Sequence, residues 1–154
     1  MTFKDKLIWL KGKKVALCET NEQRFTQVKQ FLQRYDIEVI GLQSAERMLA
    51  DLESRRYSTH RVFLAVFISA DLALALEKAW QEITTMNPSI TKTPLVLTST
   101  LEEKTLIEPL IAKGYFRFCL TQPIAPQQVL RVLRKLNRWK VLRGDISRSA
   151  ILNN

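Results

Sequence analysis

One histidine, two cysteines and four glycines in 154 residues leave little material for several kinds of chemistry. A structural or catalytic metal site needs a group of Cys, His or carboxylate ligands, and His60 stands alone between Thr59 and Arg61 in a polar stretch. Cys18 and Cys119 each fall at the end of an apolar run and read as reduced core thiols. None of the glycines forms a phosphate-cradling loop after the first apolar run, which argues against a nucleotide or flavin binder. No stretch of about 18 apolar residues is present, so no membrane span is expected. Residues 1–14 carry five lysines and only a short apolar patch at Leu7–Leu10, unlike a signal peptide, and the cytoplasm is the expected compartment.

What the chain does have is apolar content and positive charge. Hydrophobic residues make up 46%, enough for one globular domain with a proper core. The net charge is +9, which raises the possibility of a nucleic-acid partner. Its distribution bears on that possibility. Residues 1–14 hold five Lys against one Asp, residues 124–154 hold seven Lys/Arg against one Asp, and the stretch between holds twelve Lys/Arg against thirteen Asp/Glu. The excess sits at the two ends. We therefore divide the chain into a basic linker (1–13), a domain (14–139) and a basic connector (140–154).

From Lys14 onward, short apolar runs alternate with segments of helical period, the pattern of βα units around a mostly parallel sheet. The first strand is predicted over Lys14–Cys18, followed by a helix to about Tyr35, with Thr20 and Gln23 at capping-box spacing. A second strand spans Ile37–Leu42, and Ser44 is placed to cap a short helix bearing Met48, Leu49 and Leu52. After a polar break at Tyr57–His60, the run Arg61–Ile68 reads as a central strand covered on both faces. Ser69 follows as the cap of a helix carrying Leu72, Leu76, Ala79, Trp80 and Ile83, and Asn87–Thr93 reads as a loop. Strand four is predicted at Pro94–Thr98, and a second capping box at Thr100 and Glu103 opens a helix that Pro109 should kink or delay. Strand five covers Tyr115–Thr121. Pro126 then suits the first position of a last helix, with Val129, Val132, Leu133 and Leu136 inward and Arg131, Arg134, Lys135 and Arg138 outward.

Five such units in about 125 residues suggest a flavodoxin-like α/β fold, a three-layer sandwich around a five-stranded parallel sheet of order 2-1-3-4-5. Function in such a fold gathers at the carboxyl ends of the strands. Over Gly12–Trp139 the order, lengths and landmark residues resemble the CheY-like receiver domains of response regulators. Receivers place two acids after strand one, a phosphoacceptor Asp at the end of strand three, Thr or Ser after strand four, and Lys-Pro after strand five. The resemblance puts these positions at Glu19 and Thr20, at Val66 or its neighbour Phe67, at Ser99, and at Gln122 and Pro123. A lone Glu19 cannot replace three carboxylates around a divalent ion, so no Mg²⁺, no other cofactor and no catalytic residue is expected. Asp71, a few residues beyond the acceptor position, is explained by the dipole of its helix.

The run Leu10-Lys-Gly-Lys-Lys14 resembles the linker before the extra, non-phosphorylatable receiver of hybrid sensor histidine kinases of the BarA/GacS type. That resemblance implies a module of a two-component phosphorelay protein. Its partners would be the histidine-kinase core or an intact receiver. Docking would use the helix 4, strand 5, helix 5 surface, with Trp9, Arg131, Arg134, Arg138 and Trp139 as contact candidates. His60 does not resemble a phosphotransfer histidine, since it precedes a strand, and it reads as a solvated loop residue. The competing expectation is a stand-alone basic regulator that binds nucleic acid through its termini.

Overall fold

Strands β1 (Lys14–Cys18), β3 (Ala65–Ser69) and β4 (Leu95–Ser99) are apolar almost without interruption because their side chains are buried on both faces of the sheet. With β2 (Glu38–Gly41) and β5 (Phe118–Thr121) at the edges, they form one parallel sheet of order β2-β1-β3-β4-β5. The crossovers are α1 (Glu22–Gln33), α2 (Ala45–Ser54), α3 (Ala70–Met86), α4 (Leu101–Ala112) and α5 (Pro126–Leu142). This architecture comes from a computed structural model that describes residues 10–54, 63–87 and 93–142, with the backbone alone at 52 and 137–142. Trp9, the Tyr57–His60 break, most of the predicted 87–93 loop, and the connector beyond 142 lie outside the described residues.

The two-residue period of the strands divides the core into two layers. Val15, Leu17, Phe67 and Val96 face α1 and α5, meeting Val28 and Leu32 from α1 and Val129, Val132, Leu133 and Leu136 from α5. Ala16, Cys18, Val66, Ile68, Leu95 and Leu97 face the other way, onto Met48 of α2, Leu72 and Leu76 of α3, and Ile107 and Leu110 of α4. Trp80, Phe25 and Phe31 are half-buried and pack against these layers, as their helical spacing predicts.

The helix ends follow local chemistry, with departures from the sequence reading: Ser69 precedes α3 but makes no side-chain capping bond, its hydroxyl donating to Asp71 instead. Thr100 and Glu103 form the expected capping box: the Glu103 N–H donates to Thr100 Oγ1 at 3.0 Å, and the Thr100 N–H donates to Glu103 Oε1 at 2.9 Å. α4 consequently begins at Leu101 without delay, and Pro109 is accommodated near its end, where Gly114 at φ 80° closes the chain behind the last turn. Thr100→Ala should cost about 1 kcal/mol in urea unfolding; an unchanged midpoint would show that the cap is idle. Ser44 caps α2 as expected, accepting from the Arg47 N–H at 3.2 Å.

Another departure is at α1. Its cap is Asn21, whose Oδ1 accepts from the Arg24 N–H at 3.0 Å, and not Thr20, whose hydroxyl is engaged elsewhere. Strand bounds shift as well, because pairing with neighbours sets them: β3 runs Ala65–Ser69 against the expected Arg61–Ile68, and β5 begins at Phe118 against the expected Tyr115. Cys18 is buried, as expected of a core thiol, whereas Cys119 is exposed; neither forms a disulfide, and β3 and β4 separate their strands.

Candidate functional site

Parallel strands bring their carboxyl ends to one edge, and five of the chain's polar residues gather there: Glu19 after β1, Ser69 closing β3, Asp71 in the first turn of α3, Ser99 closing β4 and Gln122 after β5. Glu19, Ser69 and Ser99 are buried, which is costly for polar side chains unless partners are supplied.

Glu19 is 3% exposed. Its Oε2 accepts from the Asn21 N–H at 3.2 Å, and Arg24 Nε lies 3.9 Å from Oε1. The same guanidinium reaches Glu103 Oε1 at 3.4 Å, so Arg24 spans from α1 to the start of α4 across this edge. Burial pushes the Glu19 carboxyl above the usual carboxylate range; the Asn21 N–H and the Arg24 charge oppose the shift, and the Asp71 charge adds to it.

Asp71 ties β1, β3 and α3 together. Its Oδ1 accepts from Ser69 Oγ at 2.5 Å and its Oδ2 from Thr20 Oγ1 at 2.9 Å. Partial burial pushes this carboxyl up, but the two hydroxyls and the Leu72 and Asp71 N–H groups outweigh it and hold the group below its ordinary range. The helix dipole thus accounts for only part of Asp71's placement: the hydroxyl of Thr20, 51 residues earlier, is spent on it.

The two acids titrate with opposite consequences. Glu19 binds its proton more tightly folded than unfolded, so its contribution to stability falls as pH rises from 4.5 through its raised value. Asp71 contributes stability above 3.8 that is lost as pH falls through its lowered folded value. Glu19→Gln should gain stability relative to the parent as pH rises above 4.5, and Asp71→Asn should lose it as pH rises through the acid range up to 3.8, in urea titrations at a series of pH values. Parallel pH profiles for parent and variants would contradict the assignment.

The two residues expected at the acceptor position do not stand at the carboxyl edge. Val66 lies in the middle of β3, buried and paired with Ala16 and Leu95, and Phe67 is wholly buried on the opposite face. Neither reaches the edge. Cys18 pairs with Ile68, so Glu19 stands abreast of Ser69, the residue that ends β3. Thr20 and Ser99 are at the edge as expected, as is Gln122, whose N–H donates to the Ser99 carbonyl at 2.7 Å; Pro123 follows through a cis peptide bond. Ser99 Oγ and Gln122 Nε2 are buried with no hydrogen-bond partner among the described residues. No group of three or more potential metal ligands occurs among the described residues. Arg131 and Arg134 are exposed on α5, while Arg138 and Trp139 lie on its final turns.

Comparison with known folds settles the architecture. No protein-family model and no curated protein matches the sequence. Solved structures do. A receiver domain of a sensor histidine kinase from Pseudomonas aeruginosa, with a magnesium ion coordinated in its active-site cleft, superposes with a TM-score of 0.64 at 15% identity, covering 81% of this chain and 97% of its own. A chemotaxis response regulator of Vibrio cholerae gives 0.62 at 18% identity, over 81% and 98%. The chain has the receiver fold. An adenylate cyclase structure from Rhodopirellula baltica superposes with a TM-score of 0.62 at 12% identity, over 93% of this chain and 98% of its own. Identities this low speak for the fold alone. Among the described residues no helix is long and apolar enough to cross a membrane.

Proposed function

We propose that the chain is a receiver-like module of a two-component phosphorelay protein that has lost aspartyl phosphorylation and acts by docking, on a histidine-kinase core or on an intact receiver. The observation that carries this reading is the residue at the end of β3. Ser69 stands where an acceptor carboxylate is needed, and its hydroxyl is committed to Asp71. The remaining positions point the same way. Thr20 is neutral, and Gln122 offers an amide where a lysine would balance phosphoryl charge. The positive charge nearest Glu19 belongs to Arg24, which cannot act as a divalent ion does, because a guanidinium donates hydrogen bonds and accepts no oxygen ligand.

With the edge occupied in this way, the surface formed by α4, β5 and α5 is the better place to seek function. Leu101 and Leu106 of α4 are 72% and 69% exposed, unusually open for large apolar side chains. Arg131 and Arg134 stand out from α5. Titrating the chain into a histidine-kinase core or intact receiver from the same cell should alter autophosphorylation or phosphotransfer. Leu101→Asp with Leu106→Asp should abolish that effect without unfolding the domain. Unaltered rates at saturating chain would sink the docking reading. The nucleic-acid alternative draws on the basic ends, and a gel shift at low salt with the full chain, compared with one lacking residues 1–13 and 140–154, separates the two.

A further inference from the structure

We infer that the groove between the open edge of β5 and helix α5 receives a short, extended, acidic peptide segment as an added strand. This inference rests on the docking reading and names the chemistry of the partner.

Three observations carry it. Among the described residues β5 ends the sheet order and pairs only with β4, so its outer edge offers backbone groups to an incoming strand. Beside that edge runs a groove whose lining is mainly polar; half-buried Phe118 gives its floor apolar surface, and Leu120 and Val132 lie buried beneath it in the core layer under α5. Its walls are cationic. Arg131 and Lys135 stand one turn apart on α5, and Arg117 stands at the amino end of β5; all three are exposed. No carboxylate lines the groove, and none of the three pairs with one among the described residues. From the α4 side, Lys104 is near enough to Cys119 to act on its thiol, which adds positive charge.

Charge and shape together select the occupant. An edge strand usually protects itself with charge, a bulge or a covering element. Here the protecting charges all have one sign, so they repel a second copy of the same edge and attract an acidic one. An extended segment alternating acidic and apolar residues satisfies both walls and floor, since successive strand side chains point to opposite faces. A nucleic-acid strand would meet the cations but has no use for an open strand edge.

The test uses the full chain and a fluorescein-labelled peptide alternating glutamate and valine. Two comparison probes are the same peptide with proline replacing every residue, glutamates included except at the ends, which leaves few N–H groups for strand pairing, and a single-stranded DNA of charge equal to that of the alternating peptide. Fluorescence anisotropy should show the alternating peptide binding and the proline peptide failing. Arg131→Glu with Lys135→Glu should weaken binding on the order of tenfold or more, and the neutral Gln pair by less. Bound peptide should slow modification of Cys119, the exposed one of the two thiols. Circular dichroism checks that the variants remain folded. Absence of peptide binding, equal binding of all three probes, or indifference to the charge reversals would overturn the inference. If the peptide fails while kinase-core titration still depends on Leu101 and Leu106, the docking reading survives and the acidic strand alone falls. If neither binds, both fall.

Discussion

Phe67→Ala should cost about 3–5 kcal/mol of stability, the largest loss expected for a single substitution in this chain. Phe67 is the largest of the fully buried side chains and sits on β3. Its strand pairs with β1 on one side and β4 on the other, and its ring faces the layer built by α1 and α5. Truncation removes the apolar area and leaves a cavity that three packed elements cannot close. Since a domain of this size carries about 5–15 kcal/mol in total, the variant should unfold at far lower urea or not fold at physiological temperature. A loss under about 1 kcal/mol would mean that the core is not packed as described.

The second large effect is a gain. Thr20→Asp with Ser69→Asp would place two further carboxylates beside Glu19 and Asp71 at one edge, and remove the two hydroxyls that now satisfy Asp71. Four carboxylates so close repel one another, and without a cation the double variant should be clearly less stable than the parent. Hard divalent ions take several oxygen ligands, so Mg²⁺ should restore the loss, worth about 2.7 kcal/mol at a hundredfold excess over Kd. Thermal unfolding with and without Mg²⁺ measures this directly. The parent midpoint should be indifferent to Mg²⁺, and a variant midpoint equally indifferent would show that the edge positions do not converge.

Both predictions depend on features that differ in how far the sequence reveals them. The sheet and its order were legible, because apolar runs of strand length alternate with helical periods and only a few topologies accommodate five such units. So were the capping box at Thr100 and Glu103, the Ser44 cap and the inward stripe of α5, each set by residues within a turn or two of one another. The edge was harder. The apolar run Arg61–Ile68 does not reveal where β3 ends, since Phe63 and Leu64 are buried without belonging to the strand. The resemblance places the acceptor position at Val66 or Phe67 by taking the apolar run to end at Ile68, whereas pairing with β1 and β4 carries the strand on to Ser69. Thr20 and Asn21 are both good caps by type, and only the bond from Thr20 to Asp71 decides between them. The Arg24 bridge to Glu103 spans 79 residues and has no local signature. What the sequence leaves open is thus what distant side chains do to one another.

The most direct measurement of the central claim is intact mass after incubation with a small acyl-phosphate donor and Mg²⁺. A neutral, engaged Ser69 at the end of β3, with Gln122 opposite, predicts a mass unchanged under conditions that fully modify a competent receiver run in parallel. A stable increment of one phosphoryl group, lost on Asp71→Asn or Glu19→Gln, would contradict the account and return the chain to the phosphorylated receivers.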